Sequence, residues 1–93
     1  MKYFAWDLAK NEKLKREREI SFEDVANAIV SGKVLDIVEN PNKNKYPDQK
    51  YYVVDIDNYS YIIPFVEDDE KQFLKTIFPS RKMTKKYLKI GGK

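Results

Sequence analysis

The sequence predicts an α+β domain: two N-terminal helices packed on one face of a four-stranded antiparallel meander, with a short C-terminal helix. Three observations predict it. Apolar residues recur at helical spacing between Phe22 and Val30, then at a spacing of two from Val34 onward. Short turn-rich links separate most of the strand-like runs, as antiparallel neighbours allow and parallel ones do not. No repeat or long linker divides the chain, so residues 1–93 make one domain.

Tyr3, Phe4 and Trp6 form an aromatic lead-in, and Asp7 follows as a helix N-cap. Leu8 to about Arg18 is helical but highly charged, with Leu8 and Leu14 as its thin apolar face. Ser21-Phe22-Glu23-Asp24 is a capping box, with Asp in the reciprocal position. Phe22, Val25, Ala26, Ile29 and Val30 then form a buried stripe, and Ser31-Gly32 stops the helix. Val34 to Glu39 is the first strand, and Asn40 to Gln49 a long loop with two prolines and three asparagines. Lys50 to Ile56, the tight turn Asp57-Asn58, and Tyr59 to Val66 make a hairpin. Pro64 lacks a donor, so its strand is expected at an edge or bulged. Glu67 to Glu70 is an acidic turn and Gln72 to Phe78 the fourth strand. Pro79-Ser80 breaks it, and a short helix runs from about Lys82 to Lys89, ended by Gly91-Gly92.

The composition narrows the chemistry. There is no Cys and no His, so thiolate chemistry, cysteine zinc sites and the commonest general base are absent. Four consecutive acids from Glu67 to Glu70 lack the spacing and glycine of a calcium loop, so no metal or other cofactor is expected. Lys10 to Glu19 is charged where a signal peptide needs an apolar core, and no apolar run is long enough to span a membrane. A soluble, cytoplasmic protein without a membrane partner is expected. The net charge of +3 conceals a strong division. Lys71, Lys75, Arg81, Lys82, Lys85, Lys86, Lys89 and Lys93 crowd the last 23 residues, which hold no acid, whereas the first 70 hold 10 basic and 15 acidic side chains. Apolar residues are interleaved with these cations, so much of the basic stretch is folded. Cations held on a folded element are the footprint of a nucleic-acid binder; a solvated lysine-rich tail is the plainer reading.

Two segments carry a resemblance. Phe4-Ala5-Trp6-Asp7-Leu8-Ala9-Lys10, followed by Ile20-Ser21-Phe22-Glu23-Asp24, resembles the opening of the BrnT family of bacterial type II toxins. Phe78-Pro79-Ser80-Arg81-Lys82-Met83-Thr84-Lys85-Lys86 resembles that family's last-strand ending and basic helix. The chain departs from the pattern at Leu14, at Glu17-Arg18-Glu19, and at Lys75, which sits one residue from a family arginine. The resemblance implies a RelE-like fold, RNA cleavage, and inhibition by a cognate ribbon-helix-helix antitoxin, with DNA contacted only through that antitoxin.

The chemistry closes without histidine or metal, because RNA supplies its own 2′-OH nucleophile. Stabilising the charge added at phosphorus is the main task, and a guanidinium spans two phosphoryl oxygens, which makes Arg81 the first catalytic candidate. Lys75 and Lys50 could contact phosphate or transfer a proton, and Glu67 could act as base. Lys82, Lys85 and Lys86 would hold the backbone, and Tyr59 and Tyr61 could stack on bases. Each also has a structural reading: an ion pair for Arg81, edge protection for the lysines, a turn for Glu67, sheet packing for the tyrosines. The alternative function is a non-catalytic module that binds nucleic acid, or the antitoxin alone.

Overall fold

In a computed structural model, which describes residues 2–42 and 44–88, both N-terminal helices start on the expected caps. Asp7 accepts the Lys10 N–H at 3.0 Å at the head of α1 (Leu8–Arg18). The Ser21–Asp24 box closes in both directions at the head of α2 (Phe22–Val30). The capping oxygens satisfy N–H groups that the first helical turn leaves without partners.

What holds α1 down differs from expectation. Leu8 is 76% exposed, and only Leu14 of the two leucines is buried. The second anchor is Asn11, 2% exposed. Its amide donates to Glu23 at 2.8 Å and its carbonyl accepts the Phe22 N–H at 2.7 Å, stitching the two helices together. On α2 the buried face runs through Phe22, Val25 and Ala28, with Ile29 packed beside it. Val30, about 100° further round the helix than Ile29, turns out to solvent at 72% exposure.

The described residues form a mixed, six-stranded sheet, which corrects the four-stranded antiparallel expectation. Strands β2 (Val34–Glu39), β3 (Lys50–Ile56) and β4 (Tyr59–Glu67) are the expected antiparallel neighbours. The aromatic lead-in is itself a strand, β1 (Tyr3–Ala5), and it pairs in parallel with β5 (Lys71–Leu74) at the sheet edge. Three residues are too few to show a period in sequence. The parallel sense is possible because residues 6–70 lie between the two strands, ample length for a crossover.

The expected fourth strand is two pieces, β5 and β6 (Phe78–Pro79), both along the same side of β4. Pro64 explains the gap. Lys75 donates its N–H to the Pro64 carbonyl at 2.8 Å, so the Pro64 nitrogen faces the same side with no hydrogen to offer. The ladder opens at that point and resumes at Phe78. Pro64 therefore lies in an internal strand, and the irregularity falls on its neighbour. At the far edge, β2 is bulged between Val34 and Asp36, and Asp36 caps the Ile37 N–H at 2.8 Å; both discourage pairing with another chain.

Strand alternation assigns the two faces. Tyr52, Val54, Ile63, Phe65 and Leu74 meet Leu14, Ile20, Phe22 and Val25 in the main core. Val53 and Ile62, also buried, project from the opposite face. That face is partly covered by a terminal helical segment, α3 (Arg81–Met83) continuing as a π-helical turn, Thr84–Leu88. It begins one residue before the expected start. The expected end at Gly91-Gly92 lies outside the described residues.

Glu19 closes α1 in the left-handed region, at φ 55°. A non-glycine residue there costs about 1 kcal/mol or more. Glu19→Gly is therefore expected to stabilise the domain by about 0.5–1 kcal/mol, raising Tm by about 2–8 °C in thermal unfolding.

Candidate nucleic-acid interface

As far as Lys86, the basic stretch resolves onto the sheet face opposite α1 and α2; Lys89 and Lys93 lie outside the described residues. On β5, Lys71 and Phe73 alternate outward on this face, and Lys75 lies over the Phe73 ring at 5.7 Å. The terminal segment is pinned to the same face by a closed set of hydrogen bonds. Ser80 N–H donates to the Ser60 carbonyl at 2.9 Å, and Ser60 N–H donates to Thr84 Oγ1 at 2.9 Å. Thr84 Oγ1 donates to the Ser80 carbonyl at 2.8 Å, and Ser80 Oγ caps the Met83 N–H. At the far end the Tyr87 hydroxyl donates to Asp36 on β2. These bonds fix the backbone that carries Arg81, Lys82, Lys85 and Lys86, all four exposed. Among the described residues, none of these four, nor Lys71 or Lys75, is ion-paired with a carboxylate.

The other expected site residues lie elsewhere. Lys50 and Glu67 project from the helix-side face at the opposite end of β4 from Arg81. Ser60, which holds the Ser80 backbone, and Glu67 are seven residues apart on one strand, roughly 23 Å. The expected joint arrangement of Arg81 with Lys50 and Glu67 is therefore not formed. Instead Glu67 centres a local network. Lys2 donates to it at 3.1 Å, Gln72 Nε2 at 2.9 Å, and Lys50 lies 3.6 Å away. Tyr52 donates to Gln72 Oε1 at 2.6 Å, completing the set. The bonds from Gln72 and Lys2 hold the Glu67 carboxyl below its usual range, which makes it a poor base. Its physical role is to tie the start of β1 to the sheet.

Tyr59 and Tyr61 also face the helix side. Their rings meet edge to face at 5.9 Å, and Tyr61 packs against the main core. Burial, with Asp57 nearby, pushes the Tyr61 phenol up, so it is a weaker proton donor. Tyr3, Tyr51 and Phe73 are among the aromatic side chains on the basic face, and nothing in the sequence marked them as site residues. The alternation Lys71, Phe73, Lys75 was visible there; the face it occupies was not. Beside α2 the helix side holds a groove of about 360 Å³, lined among others by Glu19, Asp24, Asp57, Lys33 and Tyr61. Asp55 lines it too, and Asp36 and Asp55 leave their strands on the basic face while Lys50 leaves on the helix side, so the division of charge along the chain is only partly a division between faces.

Among the described residues, no three of Asp or Glu are grouped as metal ligands, and no helix is long and apolar enough to cross a membrane. No protein-family model, curated protein or solved structure matches the chain.

Acid should loosen both faces. Asp36 is held low first by the Tyr87 hydroxyl and then by the Ile37 N–H. Asp68 is held low by the Glu70 and Lys71 N–H groups, and Glu67 by Gln72 and Lys2. A carboxyl depressed in the folded state stabilises fully above its unfolded value. That stability fades as pH falls through the folded value. Tm is thus expected to be flat from neutral pH down to the ordinary carboxylate range and to fall below it. Asp36→Asn is expected to make the acid decline shallower, as read by thermal unfolding across pH.

Proposed function

We propose that this chain is the RNA-cleaving toxin of a type II toxin–antitoxin pair, with its RNA-binding surface on the face that carries Lys75, Arg81, Lys82, Lys85 and Lys86. The observation that carries the reading is the collection of unpaired cations on one face, with Arg81 on a backbone pinned by Ser60 and Thr84. The order of elements supports it too: a helix pair, a strand meander, then a Ser80-Arg81 turn into a basic helical segment. In the reaction the 2′-OH attacks the adjacent phosphorus and the P–O5′ bond breaks, leaving a cyclic phosphate and a 5′-OH. Arg81 stabilises the charge that builds on the phosphoryl oxygens, and Lys75, further along β4, holds a neighbouring phosphate. The 2′-OH proton leaves to water, and water protonates the departing 5′-oxygen. Lys50 and Glu67 take no part, because they project from the other face. The partner is a ribbon-helix-helix antitoxin, through which the complex reaches DNA.

One observation favours a second reading, a non-catalytic module that binds nucleic acid or the antitoxin. On the strands of the basic face the carboxylates are Asp36 and Asp55, and both are occupied. Asp36 accepts from Tyr87 and Ile37, and Asp55 accepts the Asn58 N–H at 3.0 Å. With no histidine in the chain, that face offers no ready base. Purified protein, free of antitoxin, separates the two readings. Cleavage of single-stranded RNA in the presence of a chelator is expected. Intact RNA at every salt concentration, with binding retained, selects the non-catalytic module.

A further inference from the structure

Resting on the RNA-binding reading, we propose that the open part of the basic face is a stacking platform for a single-stranded polynucleotide, with bases on Tyr51 and Phe73 and phosphates on Lys71 and Lys75. The register places these side chains together. Tyr51 pairs with Pro64, and Phe73 with Val66, so both rings leave the same face of the sheet from the strands flanking β4. The two rings are two strand spacings apart across the sheet and two residues apart along it, roughly 12 Å. Tyr3, 57% exposed, leaves this face one strand beyond Phe73.

The terminal helical segment covers the face near Ser60, Ile62 and Val53, and its contacts reach β2 at Asp36. Tyr51 and Phe73 lie towards the opposite end of β4 and are half-buried. Cations and rings alternate along β5, and Lys75 already sits 5.7 Å from the Phe73 ring centre. A ring beside an unpaired ammonium suits a nucleotide, which offers a flat base and an anion together. A duplex keeps its bases stacked inside and has nothing to lay on these rings, so charge alone would hold it. The same positions explain why Tyr59 and Tyr61 are poorly placed to stack: they leave the face that the core and the helices occupy.

The test is fluorescence anisotropy with a labelled 12-nucleotide adenosine RNA and with a duplex RNA of equal length. Wild type is expected to bind the single strand at least tenfold more tightly. Tyr51→Leu and Phe73→Leu are each expected to weaken single-strand binding about tenfold without changing the dependence on salt. Lys75→Gln is expected to reduce that dependence, because it removes a phosphate contact. Thermal unfolding checks that each variant is folded. Should Phe73→Leu fail to fold, Tyr51→Trp supplies an independent readout. Its fluorescence is expected to be quenched by the single strand, beyond the response of wild type, whose lone Trp6 stacks on Phe22 in the helix layer. Equal affinity for strand and duplex, or an unquenched Trp at position 51, overturns the platform and leaves polyanion binding standing. Wild type that binds neither RNA overturns both.

Discussion

Arg81→Ala is expected to slow RNA cleavage about 10²–10³-fold, the loss seen when one preorganised donor to a developing oxyanion is removed. Tm should stay within about 2 °C of wild type. The reason is geometric: the hydrogen bonds that pin this region come from Ser60, Ser80 and Thr84 and not from the guanidinium. Arg81→Lys should recover only part of the rate, because an ammonium is a point charge and cannot bridge two phosphoryl oxygens. Lys50→Gln and Glu67→Gln are the controls. Their partners are each other, Lys2 and Gln72, on the helix-side face. Both are expected to cleave RNA within about twofold of wild type. The opposite ranking, with Glu67→Gln inactive and Arg81→Ala unaffected, would move the chemistry to the other face and sink the assignment.

Phe22→Ala is expected to cost about 3–5 kcal/mol, the range for emptying a buried aromatic site. For a domain of this length that is a large part of the whole stability, and Tm should fall by more than 10 °C. Phe22 is fully buried and stacks on Trp6 with ring centres 5.7 Å apart. Its own N–H is held by Asn11, so the backbone cannot easily shift to fill the void. One side chain therefore joins the lead-in, both helices and the sheet. Leu8→Ala, on the same helical layer but 76% exposed, is expected to change stability by less than about 0.5 kcal/mol. Comparable losses for the two variants, measured by denaturant unfolding, would show that the core is not organised around Phe22.

Local chemistry was legible. Asp7 and the Ser21–Asp24 box cap their helices because a short polar side chain meets N–H groups only a few residues away. Asp57-Asn58 turns the hairpin with both residues at positive φ, which asparagine and aspartate tolerate better than most. The missing donor of Pro64 was visible too, but not which neighbour would absorb it. That depended on the strand pairing with β4.

The amino-acid sequence determined by itself the helix starts, the β2–β4 meander, the core residues Phe22 and Val25, and the crowding of cations after Glu70. These follow from spacing and from contacts within a few residues. Tertiary structure alone decided that Tyr3–Ala5 joins β5, that Asn11 is buried, and that Lys50 and Glu67 face away from Arg81. A side chain's face depends on register, and register is set by residues far apart in the chain. A one-residue shift in pairing sends every side chain of a strand to the other face.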